Sequence, residues 1–258
     1  MLRCNVTIAP STTAKTLGCD GRPLLLNKDG IMKKLLTLTG AALALASSPA
    51  MAQGDETDLA GEIQIKVLGT AVLPDGSIDE INVNVPGLPA DLDTKANDNY
   101  VPTVAAEWFV TNNFSIETIA GTTQHDVDTT AGLPQGLELV SDALLLPATV
   151  TGKAHFDAGG FKPYVGAGVA YFIWLDVDPG AAVIPLGVTR TDLSDEFGFV
   201  LQAGFDVPVG DSGFGVTFDA KRYFIDTTAT WFAGDTLVIE TEHDLDPWVL
   251  SAGVSYRF

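Results

Sequence analysis

Ten polar side chains fall at alternate positions of otherwise apolar stretches: Lys66, Glu107, Glu117, Lys153, His155, Gln202, Asp206, Asp219, Lys221 and Arg257. Their cations and carboxylates nearly balance. Charges are tolerated away from water only when paired and hydrogen-bonded, so the chemistry expected first is a mutual ion-pair network. Such a network is either a structural plug or a route for proton transfer or ion conduction. Nucleophilic catalysis would need a nucleophile beside a base, commonly serine beside histidine. His125 and His243 lie in loop segments and His155 on the charged face, and none has a serine within two positions. No enzymatic site is expected, and no cofactor or metal centre.

The elements that must hold these side chains are legible from a period of two. Eight segments alternate, as β-strands with two unlike faces do: 61–73, 100–110, 114–122, 148–156, 162–175, 197–209, 214–224 and 248–258. In the last, Trp248, Leu250, Ala252, Val254, Tyr256 and Phe258 share one face. Val249, Ser251, Gly253, Ser255 and Arg257 share the other. An apolar face of that length would be an aggregation site on an open sheet in water, whereas a closed barrel in lipid needs one. Connections near 112, 159 and 212 are short, and those over 75–98, 125–147, 177–193 and 228–245 are long. Short turns at one end, long loops at the other and an even strand number are the pattern of outer-membrane barrels. The expectation is an all-β, eight-stranded antiparallel transmembrane up-and-down β-barrel over residues 53–258. A soluble lipocalin-type barrel is the rival, and would turn its apolar face inward around a ligand. Charges so evenly balanced suit a narrow interior better, and apolar faces so continuous suit lipid.

The front of the chain points to export. Lys33 and Lys34 precede an apolar run over 35–46, then Ser47-Ser48-Pro49 and Ala50-Met51-Ala52. A charged start, a short apolar core and a small-x-small end make a secretory signal over 32–52, cleaved between Ala52 and Gln53. The run is too short to span a bilayer, which takes about 20 residues. Met32 stands where such a signal would begin, so residues 1–31 are expected to be an upstream extension from a start codon assigned too early. N-terminal peptide mapping that found residues before Met32 would refute this. Both cysteines, Cys4 and Cys19, precede Met32, so the mature chain of 206 residues has no disulfide. Six basic and two acidic residues leave with the first 52, and the remaining 8 cations and 31 acids give a formal charge of −23. That balance repels nucleic acid.

Three stretches carry a family resemblance over essentially the whole mature length. They are Lys162-Pro163-Tyr164-Val165-Gly166-Ala167-Gly168, Ile225-Asp226-Thr227-Thr228-Ala229, and Leu245-Asp246-Pro247-Trp248 running into Tyr256-Arg257-Phe258. In that order they resemble the OmpW family of small outer-membrane barrels. The resemblance implies an integral outer-membrane location and an eight-stranded barrel with a hydrophobic channel in its outer half. It also implies passage of small hydrophobic molecules inward, with sideways release into the bilayer. The strong acidity and long second loop depart from better-known members, which bears on ligand choice more than on fold.

With the short turns on the periplasmic side, the charged face falls in the inner half of the lumen and blocks an aqueous path. The expected lumen network is Lys66, Glu107, Glu117, Lys153, His155, Gln202, Asp219, Lys221 and Arg257. Phe172 and Trp174 point inward near the outer rim, and with Tyr164 and Tyr223 they are the expected lining of a ligand channel. The alternative is that these aromatics only fill the barrel top. Apolar loop stretches at 133–137, 144–147 and 181–188 either wall the funnel or pack on one another. Asp75, Asp79, Asp91, Asp93, Asp126, Asp128, Asp176, Asp178, Asp192 and Asp195 crowd the outer loops. They suit hard cations that bridge lipopolysaccharide phosphates, but without EF-hand spacing a solvated acidic rim is expected. Arg222, on the lipid face near the outer end, is the expected lipopolysaccharide contact. Trp108, Tyr171, Tyr256 and Phe258 are expected interface aromatics, and the last strand, ending at Phe258, is the expected handle for the barrel-assembly machinery. The expected partners are thus outer-membrane lipid, lipopolysaccharide, that machinery and small apolar solutes. A structural or adhesive barrel with no transport role is the competing function. It would fill its outer lumen with polar side chains.

Overall fold

The computed structural model describes residues 59–258. The expected extension, export signal and cleavage point between Ala52 and Gln53 lie outside the described residues. Within them the chain forms β1 (Ile63–Leu73), β2 (Ser77–Asn84), β3 (Asp93–Ala96), β4 (Asn99–Thr111), β5 (Phe114–Ala120), β6 (Thr123–Ala131) and β7 (Glu138–His155). There follow β8 (Lys162–Pro179), β9 (Arg190–Leu193), β10 (Glu196–Pro208), β11 (Phe214–Phe224), β12 (Asp226–Ala233), β13 (Thr236–Asp244) and β14 (Trp248–Arg257). Eight of these close a barrel in the order β1-β4-β5-β7-β8-β10-β11-β14, every neighbour antiparallel and β14 returning to β1. Each of the eight expected segments is one of these strands.

The apolar faces point outward. Val67, Val169, Phe199, Leu201 and Val254 are more than half exposed, while Lys66, Glu107 and Lys153 are wholly buried. Because side chains alternate strictly across a strand, each pair of neighbours is held to this register. A slip of one residue would turn every ion into hydrocarbon. The turn between β10 and β11 needs glycine where the chain doubles back: Gly213 has φ +80, and a Cβ there would meet the Arg257 carbonyl oxygen at 2.6 Å.

The long connections are not loops. β7 and β8 each run 18 residues and rise past the barrel rim together. β2, β13, β12 and β9 form a separate four-stranded sheet at that end, and β3 pairs with β6 against β7. Of these strands β6 and β12 are rich in threonine, which favours a half-buried pleated surface. In β12, Thr227, Ala229 and Trp231 are buried and alternate with partly exposed Thr228 and Thr230. Val183, Val188, Trp231 and Ile239 pack into a core of this upper sheet. The stretch 181–188 is therefore in part a core element. Several of the loop aspartates act as backbone caps: Asp93 accepts from the amides of Ile78 and Thr94, Asp126 from Asp142, and Asp195 from Trp174.

Candidate functional site: a sealed lumen beneath an apolar chamber

Side chains on the inner face change character along every strand. On the lumen face of β1, Lys66 is followed toward the long-loop end by Leu68, Thr70 and Val72. In β11, Asp219 and Lys221 give way to Tyr223, with Ile225 beyond the strand. The lumen is thus layered, charged toward the short turns and apolar toward the long-loop end.

The charged layer is buried and ion-paired. Lys66 Nζ lies 2.6 Å from Glu107 and 2.9 Å from Glu117. Lys153 Nζ is 2.9 Å from each of the same two carboxylates. Lys221 joins Glu117 at 3.1 Å to Asp219 at 2.7 Å. Gln202 donates to Glu117 at 2.8 Å and to Asp219 at 2.6 Å. Eight of the nine expected network residues therefore meet. Arg257 does not: it pairs with Glu62 at 2.9 Å, partly exposed at the short-turn end. Its position as the last residue of β14 leaves it outside the sealed layer.

Tyr164 is a second correction. It was expected in the ligand channel, but it lies in the charged layer, where its hydroxyl donates to Asp219 at 2.8 Å. Lys153 Nζ sits 3.7 Å from its ring centroid. The cause is register, since Tyr164 pairs with His155 and Gly204 close to the short-turn end. Gly204 makes the room, because a Cβ there would approach Tyr164 Cζ to 2.6 Å. Ser115 is a network member that spacing in sequence could not reveal. Its hydroxyl lies 2.5 Å from Glu107 and 2.8 Å from His155 Nε2. Glu107 also contacts that same Nε2, at 2.9 Å, so the three make a closed hydrogen-bond cluster. A nucleophile relay needs the acid on the opposite ring nitrogen.

Above the ions comes a layer of hydroxyls. Thr70 bonds to Thr103 at 2.6 Å and to Ser251 at 2.9 Å, and Thr149 meets the Tyr223 hydroxyl at 3.3 Å. Above that, Phe172 and Tyr223 face one another with centroids 5.5 Å apart, packed with Val72, Leu145, Val200, Ile225, Leu245 and Val249. Fully burying a side chain such as Phe172 is worth about 1.5–3 kcal/mol, so this apolar plug is stable without a ligand. Two small cavities flank it, each about 40 Å³. The outer one reaches Trp174, His125 and His243 in the upper strands, and the inner one reaches Thr103, Gly121 and Thr123 in the wall. Phe172 borders both cavities, with Trp174 on the outer one and Tyr223 on the inner one. Leu145 belongs to the apolar stretch 144–147 expected as funnel wall or loop packing, whereas Ile225 and Leu245 were missed because they sit in segments read as loops or strand ends, although the switch from polar to apolar inner faces signals them.

The barrel wall is weakest beside the inner cavity. β4 pairs with β5 only as far as Val104 opposite Ala120, and β6 takes over the edge of β7 from Thr123 opposite Leu145. Residues 99–103 of β4 therefore have no strand pairing on that side among the described residues. Pro102 has no amide hydrogen to offer. The wall is closed there by contact instead: a Cβ on Gly121 would come within 2.7 Å of Thr103 Cγ2. Higher up, Asn99 Nδ2 donates to the Gln124 carbonyl at 2.8 Å and the Asn97 amide to Asp126 at 3.0 Å.

Arg222 lies on the outer surface between Phe224 and Trp248. Its guanidinium donates to both the backbone carbonyl and the carboxylate of Asp246, which in turn accepts from the Ile225 amide at 2.9 Å. Arg222 thus has a partner within the chain.

A closed barrel with an apolar girdle and an ion-paired lumen defines an integral protein of the bacterial outer membrane. The OmpW family model matches residues 59–258, and the chain belongs to that family. It is 35% identical over 228 residues to the outer-membrane protein y4mB of Sinorhizobium fredii, covering 85% of this chain and 90% of that one. It is 27% identical to outer membrane protein W of Vibrio cholerae, over 88% of this chain and all of the relative. The crystal structure of OprG from Pseudomonas aeruginosa superposes with a TM-score of 0.69 at 25% identity, over 77% of this chain and 96% of that chain.

Proposed function

We propose that this barrel passes small hydrophobic molecules from outside through the apolar outer chamber and releases them laterally into the bilayer. The observation that carries the reading is the pairing of an apolar path with a wall lacking ladder bonds between β4 and the β5–β6 edge. A solute entering at the long-loop end meets Trp174, then Phe172 and Tyr223. Straight passage is barred by the hydroxyl and ion layers, since desolvating an apolar path costs little while breaking a buried ion pair costs several kcal/mol. The cavities hold only a few atoms each, so Phe172 must turn aside for a chain molecule to pass. On this reading the charged layer is structural, the long-loop end faces outward, residues 32–52 direct export, and Phe258 offers its strand to the assembly machinery. Phe258 closes the barrel seam through reciprocal backbone bonds to Ile63 at 3.0 Å.

The test compares uptake of an alkane by cells with and without the protein, and with Phe172→Lys. Uptake should need the protein and fall in the variant while the folded barrel persists. Equal uptake in all three would favour the structural or adhesive alternative.

A further inference from the structure

One residue that lines the outer cavity, Trp174, has a buried hydrogen-bond donor without an acceptor, and its chemistry narrows the class of solute. Four polar side chains line that cavity: His125, Trp174, Thr227 and His243. His125 places Nδ1 2.7 Å from the Asn97 carbonyl and Nε2 2.9 Å from the Thr123 hydroxyl. A carbonyl only accepts, so Nδ1 carries the proton and Nε2 accepts from the threonine. His243 repeats the arrangement, with Nδ1 3.3 Å from the Gly76 carbonyl and Nε2 2.6 Å from the Thr241 hydroxyl. Thr227 donates to the Ser194 carbonyl at 3.0 Å. These three are satisfied and offer the cavity little but carbon. Trp174 is different: its indole Nε1 is buried with no hydrogen-bond partner among the described residues. Trp231, in the neighbouring core, donates its Nε1 to the Leu139 carbonyl at 3.1 Å, as buried indoles ordinarily do. A buried donor left without an acceptor is costly, and a pocket that is apolar except for one donor selects a ligand that is apolar except for one acceptor.

We propose that Trp174 is a specificity residue, and that the chamber favours small apolar molecules carrying a single hydrogen-bond acceptor, such as a ketone, ester or ether oxygen, over plain hydrocarbons. This rests on the uptake reading above. Trp174 is anchored for the role by its own backbone, whose amide donates to Asp195 at 2.8 Å, and by packing against both apolar clusters. The acceptor binds at the outer end and the apolar remainder extends toward Phe172.

The experiment pairs a medium-chain methyl ketone with the alkane of equal carbon number, in cells carrying the wild type, Trp174→Phe or no protein. Phenylalanine keeps an aromatic ring but removes the donor together with part of the indole's bulk; the alkane reports the change of volume, and ketone uptake should fall about five-fold relative to it, the worth of one neutral hydrogen bond. Alkane uptake should stay near wild type. An equal fall for both solutes, or none for either, overturns the proposal. In parallel, the purified protein in micelles is titrated with each probe while the Trp174 indole N–H resonance, assigned by its loss in Trp174→Phe, is followed by NMR. The ketone should shift that resonance downfield and the alkane should not. If protein-bearing cells take up neither probe, the uptake reading fails, and the resonance alone then decides the donor assignment. No difference between ketone and alkane there overturns it.

Discussion

Glu107 on β4 and Lys153 on β7 meet across the intervening strand β5 with Oε2 and Nζ 2.9 Å apart, and neither side chain has any exposed surface. The pair cannot be judged by itself, since Lys66 shares Glu107 and Glu117 shares Lys153. Removing one partner from such a set leaves an uncompensated buried charge, at about 3–5 kcal/mol. Glu107→Gln should therefore lower the unfolding midpoint of the refolded barrel, read by heat-dependent mobility on gels. Glu107→Leu combined with Lys153→Met removes both charges and should recover most of the loss. A Glu107→Gln barrel as stable as the wild type would contradict a buried, paired interior.

How much of this was legible beforehand depends on which signal each residue carries. Period two revealed the eight barrel strands, because burial in lipid on one face and in the lumen on the other makes alternation strict. It also placed Lys66, Glu107, Glu117, Lys153 and Lys221 on one side. It could not place Tyr164, because depth along the lumen depends on register against two neighbours, and alternation reports only the face. Nor could it show Ser115 beside His155, 40 residues apart in sequence. The upper sheet was missed for another reason. Its strands are short and largely polar outside, so each alternates too weakly to stand out from a loop.

Lateral release can be tested by closing the wall. The position of a Cβ on Gly121 is 3.4 Å from Thr103 Cβ, close to the separation a disulfide spans. Residues 53–258 contain no cysteine to interfere. Thr103→Cys with Gly121→Cys, oxidised, should abolish uptake of an apolar solute, and reduction should restore it. Each single variant should transport in either redox state. Uptake that is indifferent to the cross-link would rule out an exit at this seam.

The Arg222–Asp246 contact makes a claim about stability. Asp246 holds the turn into β14 by accepting from the Ile225 amide and from Arg222, so Asp246→Ala should cost about 1–2 kcal/mol. Arg222→Gln should cost less, since a half-exposed pair is worth about 0–1 kcal/mol. Unfolding midpoints in detergent and in membranes containing lipopolysaccharide separate the two partners proposed for Arg222. A loss confined to the second setting would favour a lipid phosphate over Asp246.

His243 gives the upper sheet a pH dependence of definite sign. Burial holds its imidazole below the ordinary histidine value of 6.5, against the Gly76 carbonyl and the charges of Asp93 and Asp244, which pull it upward. In the unfolded chain the ring gains a proton near pH 6.5, and in the folded sheet it resists doing so. The stability that comes from keeping it neutral is present above about pH 6.5 and is lost as the pH falls toward the folded value, by at most about 1.4 kcal/mol per pH unit. Asp226 works in the opposite sense and lower down. Burial and the neighbouring Asp244 raise its carboxyl above 3.8, so protonation there strengthens the fold as the pH falls further. Hydrogen exchange of the β12 and β13 amides, corrected for the intrinsic effect of pH, should therefore show lower protection at pH 5 than at pH 7 while the barrel strands are unchanged. His243→Gln should flatten that difference. Protection that stays constant in the wild type over the same interval would show that the imidazole is not held neutral by the fold.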